Sequence, residues 1–326
     1  MTGPTSRPVR SAPGEPVTPV EPAPAEPAPA EPAPAEPEPD GAGPATDALP
    51  EPREAAPPSR AGRNLPLAIA VGLGMGGVVL LALLTVRQAW IGVLAVCAAV
   101  GTWELFGALH RSAGIRLSRV PVLVGGQAII WLAWPFGNEG ILGALMATVV
   151  GCFLWRMRLG AAGFVRDVGA SMLVLVWIPL FMAFGTMLVV PPDGTGRVLT
   201  FLLVVICSDT GGYAAGALLG RHPMAPRVSP KKSWEGFAGS MVLGSVGACL
   251  SIVLLLHENW WFGLIVGPAL VMTAVLGDLV ESLIKRDLGV KDMGQTIPGH
   301  GGIMERLDSL VTAAPMAWLL LTVLVP

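Results

Sequence analysis

The sequence predicts an all-α, polytopic integral membrane protein of about nine transmembrane helices, preceded by a disordered Pro/Ala/Glu-rich N-terminal arm. Three observations predict it. Of the 326 residues, 52% are hydrophobic and 13% charged, and the mean hydropathy is +0.63, a balance typical of chains embedded in lipid. Long apolar runs recur from Leu65 to the end of the chain, separated by short polar breaks. Finally, Lys and Arg gather in alternate breaks, as they do when successive loops lie on opposite sides of a bilayer.

The arm comes first. Residues 1–64 hold 18 of the 31 prolines and three tandem copies of Glu-Pro-Ala-Pro-Ala from Glu21 to Ala35. Such a segment cannot bury enough apolar surface to offset its ordering entropy, so it reads as an extended, solvated cytoplasmic spacer. No apolar stretch precedes residue 65, which argues against a signal peptide. The formal charge of −2 conceals this division: residues 1–64 carry ten Asp/Glu and five Arg, whereas 65–326 carry thirteen Asp/Glu and sixteen Lys/Arg.

The apolar runs fall at 66–86, 89–109, 120–136, 140–155, 168–190, 198–219, 238–256, 260–282 and 309–325. A spanning helix needs about 20 residues, and most runs approach this; the third and fourth are short. Pro179 lies inside the fifth run, where neighbouring helices can satisfy the freed carbonyl. Counting from the residues before the first run, the breaks hold 3, 1, 3, 0, 3, 1, 4, 0 and 4 positive residues. The alternation puts the arm and the polar loops 220–237 and 283–308 on the cytoplasmic side, and the C-terminus outside. Cys97, Cys152, Cys207 and Cys249 all lie within apolar runs, far apart, and read as small apolar side chains.

Three acidic residues sit where lipid would exclude them: Asp209, Asp278 and Glu281. A carboxylate inside a span costs about 2.5–3.5 kcal/mol on insertion scales, so it faces a cavity or a partner. Asp278, Glu281 and Ser282 share one helix face by their spacing, with Lys285 and Arg286 available as salt-bridge partners. Glu104 is a fourth such acid, isolated in the sequence. The segment Ser229-Pro-Lys231-Lys232-Ser-Trp-Glu-Gly236 offers hydroxyls, point charges and a small residue suited to a triphosphate. Downstream, Asp292, His300, Gly301, Gly302, Glu305, Arg306 and Asp308 form a second polar cluster. Oxygen donors without cysteine favour Mg2+ over zinc. His300 reads as a ligand, a proton donor, a phosphate contact or part of a tight turn. No Walker loop or Rossmann fingerprint occurs, and nothing points to nucleic acid.

The run from Ser282 to Asp308, spaced S-x2-K-R-x4-K-D-x7-H-G-G-x2-E-R-x-D, resembles the signature of phosphatidate cytidylyltransferases, the CDP-diacylglycerol synthases. Ser208-Asp-Thr-Gly-Gly-Tyr213 and the Ser229–Gly236 segment resemble other hallmarks of that family, and the likeness covers residues 65–326. The family usually has Asp-Arg-x-Asp where this chain has Glu305-Arg306-Leu-Asp308. The resemblance implies transfer of the cytidylyl group of CTP to phosphatidic acid, with Mg2+ as cofactor and the lipid bilayer holding the acyl chains. It implies metal ligation by Asp209, Asp278, Glu305 and Asp308, and substrate contacts from Ser229, Lys231, Lys232, Gly301 and Gly302. Asp278, Lys285, Arg286, Lys291, Asp292, His300 and Arg306 are the implied catalytic set. A homodimer is compatible with this reading. A CTP-dependent polyprenol kinase lacks a reason to carry the full Ser282–Asp308 pattern. A secondary transporter is expected to show inverted halves, which the sequence does not display.

Overall fold

The computed structural model describes residues 65–296 and 301–325, with side chains from Gly74 onward except Met75. The arm at 1–64 and His300 lie outside the described residues. The helices are α1 (Leu65–Thr85), α2 (Arg87–Ala113), α3 (Arg119–Met157), α4 (Phe164–Leu175), α5 (Phe181–Val189), α6 (Gly194–Leu219), α7 (Trp234–Leu255), α8 (Gly263–Asp287) and α9 (Met304–Leu324). A five-residue π-turn, Val176–Leu180, joins α4 to α5 around Pro179. The missing proline N–H is absorbed there without ending the span.

Seven helices among the described residues are long and apolar enough to cross a bilayer, fewer than the nine runs expected. The difference arises at two places. In α1 the fully described part, Gly76–Thr85, is an apolar helix too short to span. The third and fourth runs form a single 39-residue element, α3. At 1.5 Å per residue a straight helix of that length would reach about 58 Å, about twice a hydrocarbon core. It is not straight. Gly137, at φ 56° and ψ −136°, breaks it just after Pro135. The two legs fold back on each other: Gly125 abuts the Thr148 side chain, and the Ser118 hydroxyl donates to the Cys152 carbonyl at 3.2 Å. A side chain at Gly125 would occupy the space of Thr148, so glycine permits the close antiparallel approach.

Long-range hydrogen bonds tie the remaining helices. Trp90 on α2 donates to the Gly185 carbonyl of α5 at 3.0 Å, and Gln127 on α3 donates to the Ala95 carbonyl of α2 at 3.0 Å. Between α3 and α4, Arg156 and Asp167 pair at 2.9 Å with both side chains 1% exposed. The same guanidinium donates to the Gly160 and Ala162 carbonyls, so one buried cation organises the whole connection. At the other face, Arg197 near the start of α6 pairs with Asp193 at 2.8 Å. It also donates to the Leu321 and Val325 carbonyls at 2.8 and 2.7 Å, satisfying the end of α9. Large apolar side chains such as Leu84, Val96, Val124, Met146, Leu254 and Val323 remain exposed on the helices, as a lipid-facing surface requires.

The loop 220–233 departs from the all-α expectation in one detail. It folds as a small antiparallel hairpin of β1 (Pro223–Ala225) and β2 (Ser229–Ser233), with Pro223 opposite Ser233 and Ala225 opposite Ser229.

Candidate active site

The site begins with the packing of α6 on α7. Gly211, Gly212 and Gly216 face Gly236, Gly239 and Ser240 across a crossing so close that a Cβ on Gly239 would strike the Gly211 carbonyl at 2.5 Å. Small residues let the two backbones meet, and the Ser240 hydroxyl donates to the Ser208 carbonyl at 2.7 Å. The glycines of Ser208–Tyr213 and Gly236 thus bring helices together, beyond any contact they make with a ligand. The hairpin enters α7 through a capped start, where the Ser233 hydroxyl accepts from Gly236 N–H at 3.1 Å. Glu235 accepts from the Arg221 and His222 amides at 3.2 Å and closes the hairpin base.

This arrangement sets Lys232 against α8. Its ammonium lies 2.6 Å from Asp278 Oδ2, with the side chains 22% and 38% exposed. One turn farther, Glu281 is buried and pairs with Lys285 at 2.9 Å. The Glu281 carboxyl also meets that of Asp308 on α9. Asp209 lies close enough to feel the charges of Asp308, Asp278 and Lys232. Four acids from three helices therefore converge with two lysines. Two carboxyls in contact need a cation or proton between them to offset their repulsion.

Polar cavities surround this core. One of about 360 Å3 is lined by Asp209, Lys231, Lys232, Ser233, Ser240 and Asp278. A second, of about 520 Å3, is lined by Ser229, Lys231, Ser282, Lys285, Arg286 and Lys291. Lys231 belongs to both, so the carboxylate-rich and lysine-rich compartments adjoin. Both fall within the size of small-molecule sites.

The expected residues distribute unevenly over these compartments. Ser229, Lys231, Lys232, Asp209, Asp278, Lys285, Arg286 and Lys291 line the two adjoining cavities, and Asp308 meets Glu281 beside them. Asp292 lines a separate cavity of about 610 Å3 with Glu104, His110 and Arg111 of α2 and Arg119 at the start of α3. Arg306 lines an apolar cavity of about 250 Å3 with Trp90, Leu310 and Val311. Gly301, at φ 84°, and Gly302 form the approach to α9. Glu305 accepts from the Met293 amide at 2.5 Å through Oε1, while its Oε2 is buried without a hydrogen-bond partner.

The donor set suits a hard cation: it is oxygen-only, contains paired carboxyls and includes one buried unpaired oxygen. Among the described residues, no three His, Cys, Asp or Glu side chains are drawn together into a ready coordination shell. Lys232 and Lys285 hold oxygens of Asp278 and Glu281.

Two groups had weak signals in the sequence. Glu281 shared the Asp278 face and was read there as a buried acid. Glu104 stood alone, 192 residues from its partner Thr296, and only the intramembrane charge marked it.

A helical membrane protein that gathers carboxylates and lysines around adjoining polar cavities is suited to handling phosphate groups beside a bilayer. Residues 67–324 match the cytidylyltransferase family, and the chain belongs to that family. A Mycobacterium bovis protein named phosphatidate cytidylyltransferase is 46% identical over 294 residues, which cover 86% of this chain and 95% of that one. One from Mycobacterium leprae, of the same name, is 45% identical over 281 residues, covering 81% and 90%. A Staphylococcus epidermidis relative, also so named, is 42% identical over 130 residues, 40% of this chain and 50% of that one.

Proposed function

We propose that this protein is a phosphatidate cytidylyltransferase that converts CTP and phosphatidic acid to CDP-diacylglycerol and pyrophosphate. The observation that carries the reading is the junction at Lys231, where a carboxylate-lined cavity adjoins a lysine- and arginine-lined one. The family membership and the names of the relatives support it.

The chemistry follows from charge. An oxygen of the lipid phosphate forms a bond to the α-phosphorus of CTP, and the bond from that phosphorus to the bridging oxygen of the β-phosphate breaks. Pyrophosphate leaves. The nucleophile is already anionic, so orientation and charge neutralisation matter more than a general base. Lys231, Lys285, Arg286 and Lys291 line the cavity suited to the triphosphate, where Arg286 adds a planar fork to the lysine point charges. Lys232 lines the adjoining cavity with Asp278, where it would neutralise charge near the reacting phosphorus. Mg2+ would be held by Asp209, Asp278 and Asp308, with Glu305 Oε2 as a further unpaired oxygen, and it would neutralise phosphate charge on both reactants.

In this reading residues 65–326 are the transferase and 1–64 an arm outside it, consistent with a family match that begins at residue 67. The enzyme sits in the cell membrane with its arm and polar loops cytoplasmic, where CTP is available. The deciding experiment supplies purified protein in detergent with labelled CTP, phosphatidic acid and Mg2+, then counts label in chloroform-extractable lipid. Transfer that stops with EDTA and returns with Mg2+ is expected. Turnover undiminished by exhaustive chelation overturns the metal reading, and phosphorylation of a free polyprenol without phosphatidic acid overturns the substrate reading.

A further inference from the structure

Glu104 lies on α2, and its side chain is buried. Among the described residues it forms no salt bridge. Instead its carboxylate collects donors from the loop and helix that carry the site: Oε1 accepts from the Thr296 hydroxyl and from Ile303 N–H at 3.1 Å. Oε2 accepts from Met304 N–H at 3.0 Å. Ile303 and Met304 begin α9, so the carboxylate satisfies two of that helix's free amides at the positive end of its dipole. Gly294 and Gly302 both approach this carboxylate closely. A Cβ on Gly294 or Gly302 would run into the Glu104 carboxyl group. Arg111 and Glu305 hold the same loop from either side, through the Met293 carbonyl and amide respectively.

The consequence reaches the reacting centre through helix geometry. Asp308 lies four residues beyond Met304, one turn along α9. Its backbone carbonyl lies so near Gly277 of α8 that a Cβ there would meet it at 2.4 Å, so α9 packs tightly on α8 at this level. At the far end Arg197 holds the last carbonyls of α9, so the freedom left to the helix is that of its first turn. Fixing the first two amides removes that freedom.

We propose that Glu104 is a positioning residue for the transfer reaction: it ties Thr296 to the start of α9, and so sets where Asp308 and Glu305 stand. This rests on the reaction proposed above. It assigns Glu104 no contact with substrate.

The test uses the full-length protein in lipid nanodiscs and the variants Glu104→Gln, Thr296→Val and their double. Glu104→Gln keeps shape but turns a carboxamide NH2, a donor, toward a backbone N–H that is also a donor. Its kcat is expected to fall at least about tenfold, with KM for CTP and for phosphatidic acid within about threefold of wild type. Thr296→Val removes one donor and is expected to lower kcat about threefold. The double variant should be no slower than Glu104→Gln, because both changes release one clamp. Hydrogen exchange at the Ile303 and Met304 amides should quicken in Glu104→Gln while α6 and α7 stay protected. That readout needs no turnover, so it separates failure of the clamp from failure of the reaction assignment. Unchanged exchange at those amides, wild-type kcat in both single variants, or losses that multiply in the double variant would each overturn the proposal. If Glu104→Gln does not fold, Thr296→Val with wild-type kcat and exchange overturns it alone.

Discussion

Replacing Asp278 by Asn separates the chemical role of this carboxylate from its role in holding the fold. The side chain keeps its size and loses its charge. Structurally little is at stake: Asp278 is 38% exposed, and its 2.6 Å contact with Lys232 is a half-solvated ion pair. Such pairs contribute about 0.2–1 kcal/mol, so the variant should insert and melt nearly as wild type does. The Ser282 hydroxyl contact, at 3.4 Å, adds almost nothing. Catalysis is affected far more. Asp278 is one of three aspartates within electrostatic reach of one another, and if it holds Mg2+ as proposed, removing its charge costs several kcal/mol of transition-state stabilisation. A loss of about 4 kcal/mol corresponds to about a thousandfold in rate. The assay is label transfer from CTP to extractable lipid at saturating substrates across a Mg2+ series, alongside thermal unfolding of the same preparation. Turnover within a few-fold of wild type at ordinary Mg2+ would refute the site assignment. A rate loss matched by loss of folded protein would show that the structural estimate is wrong.

Other perturbations probe neighbouring parts. Lys232→Met removes the ammonium competing for Asp278, so half-saturation should move to lower Mg2+ while KM for CTP rises; a KM left unchanged would remove Lys232 from the substrate contacts. Gly277→Ala places a methyl within 2.6 Å of Thr312 Oγ1 and against the Asp308 carbonyl. Overpacking of this kind costs about 1–3 kcal/mol, and turnover should drop at least tenfold as α9 shifts, measured by melting and rate together. Asp167→Asn strands the buried Arg156 charge and should cost about 3–5 kcal/mol in denaturant unfolding, while turnover per folded molecule stays close to wild type.

The sequence made the helices legible because lipid imposes a single long-wavelength rule, and most runs from 66 to 325 obey it. The polar segments 229–236 and 282–308 were legible because charge between apolar runs has few explanations. Helix pairing was not. Nothing local indicates that the third and fourth runs fold on each other at Gly137, or that the glycines of Ser208–Tyr213 exist for α7. Spacing along one helix fixes a shared face, which is why Asp278, Glu281 and Ser282 grouped correctly. Asp292 lines another cavity because a loop can send neighbours in different directions, and Arg306 does so because successive residues of α9 face about 100° apart. Glu104 was invisible as a clamp since its donors lie about 200 residues away.

The two ends of α9 are anchored by opposite charges, with the Glu104 carboxylate at its amides and the Arg197 guanidinium at its last carbonyls. A helix of 21 residues spans about 32 Å, close to a hydrocarbon core. Suspended at both ends, α9 has no slack with which to answer a thicker or thinner bilayer by sliding or tilting. Mismatch strain must then be absorbed by helices on the periphery, such as the hinged legs of α3, while the carboxylates keep their depth. The catalytic centre is thereby mechanically insulated from the lipid composition that its own product helps to set.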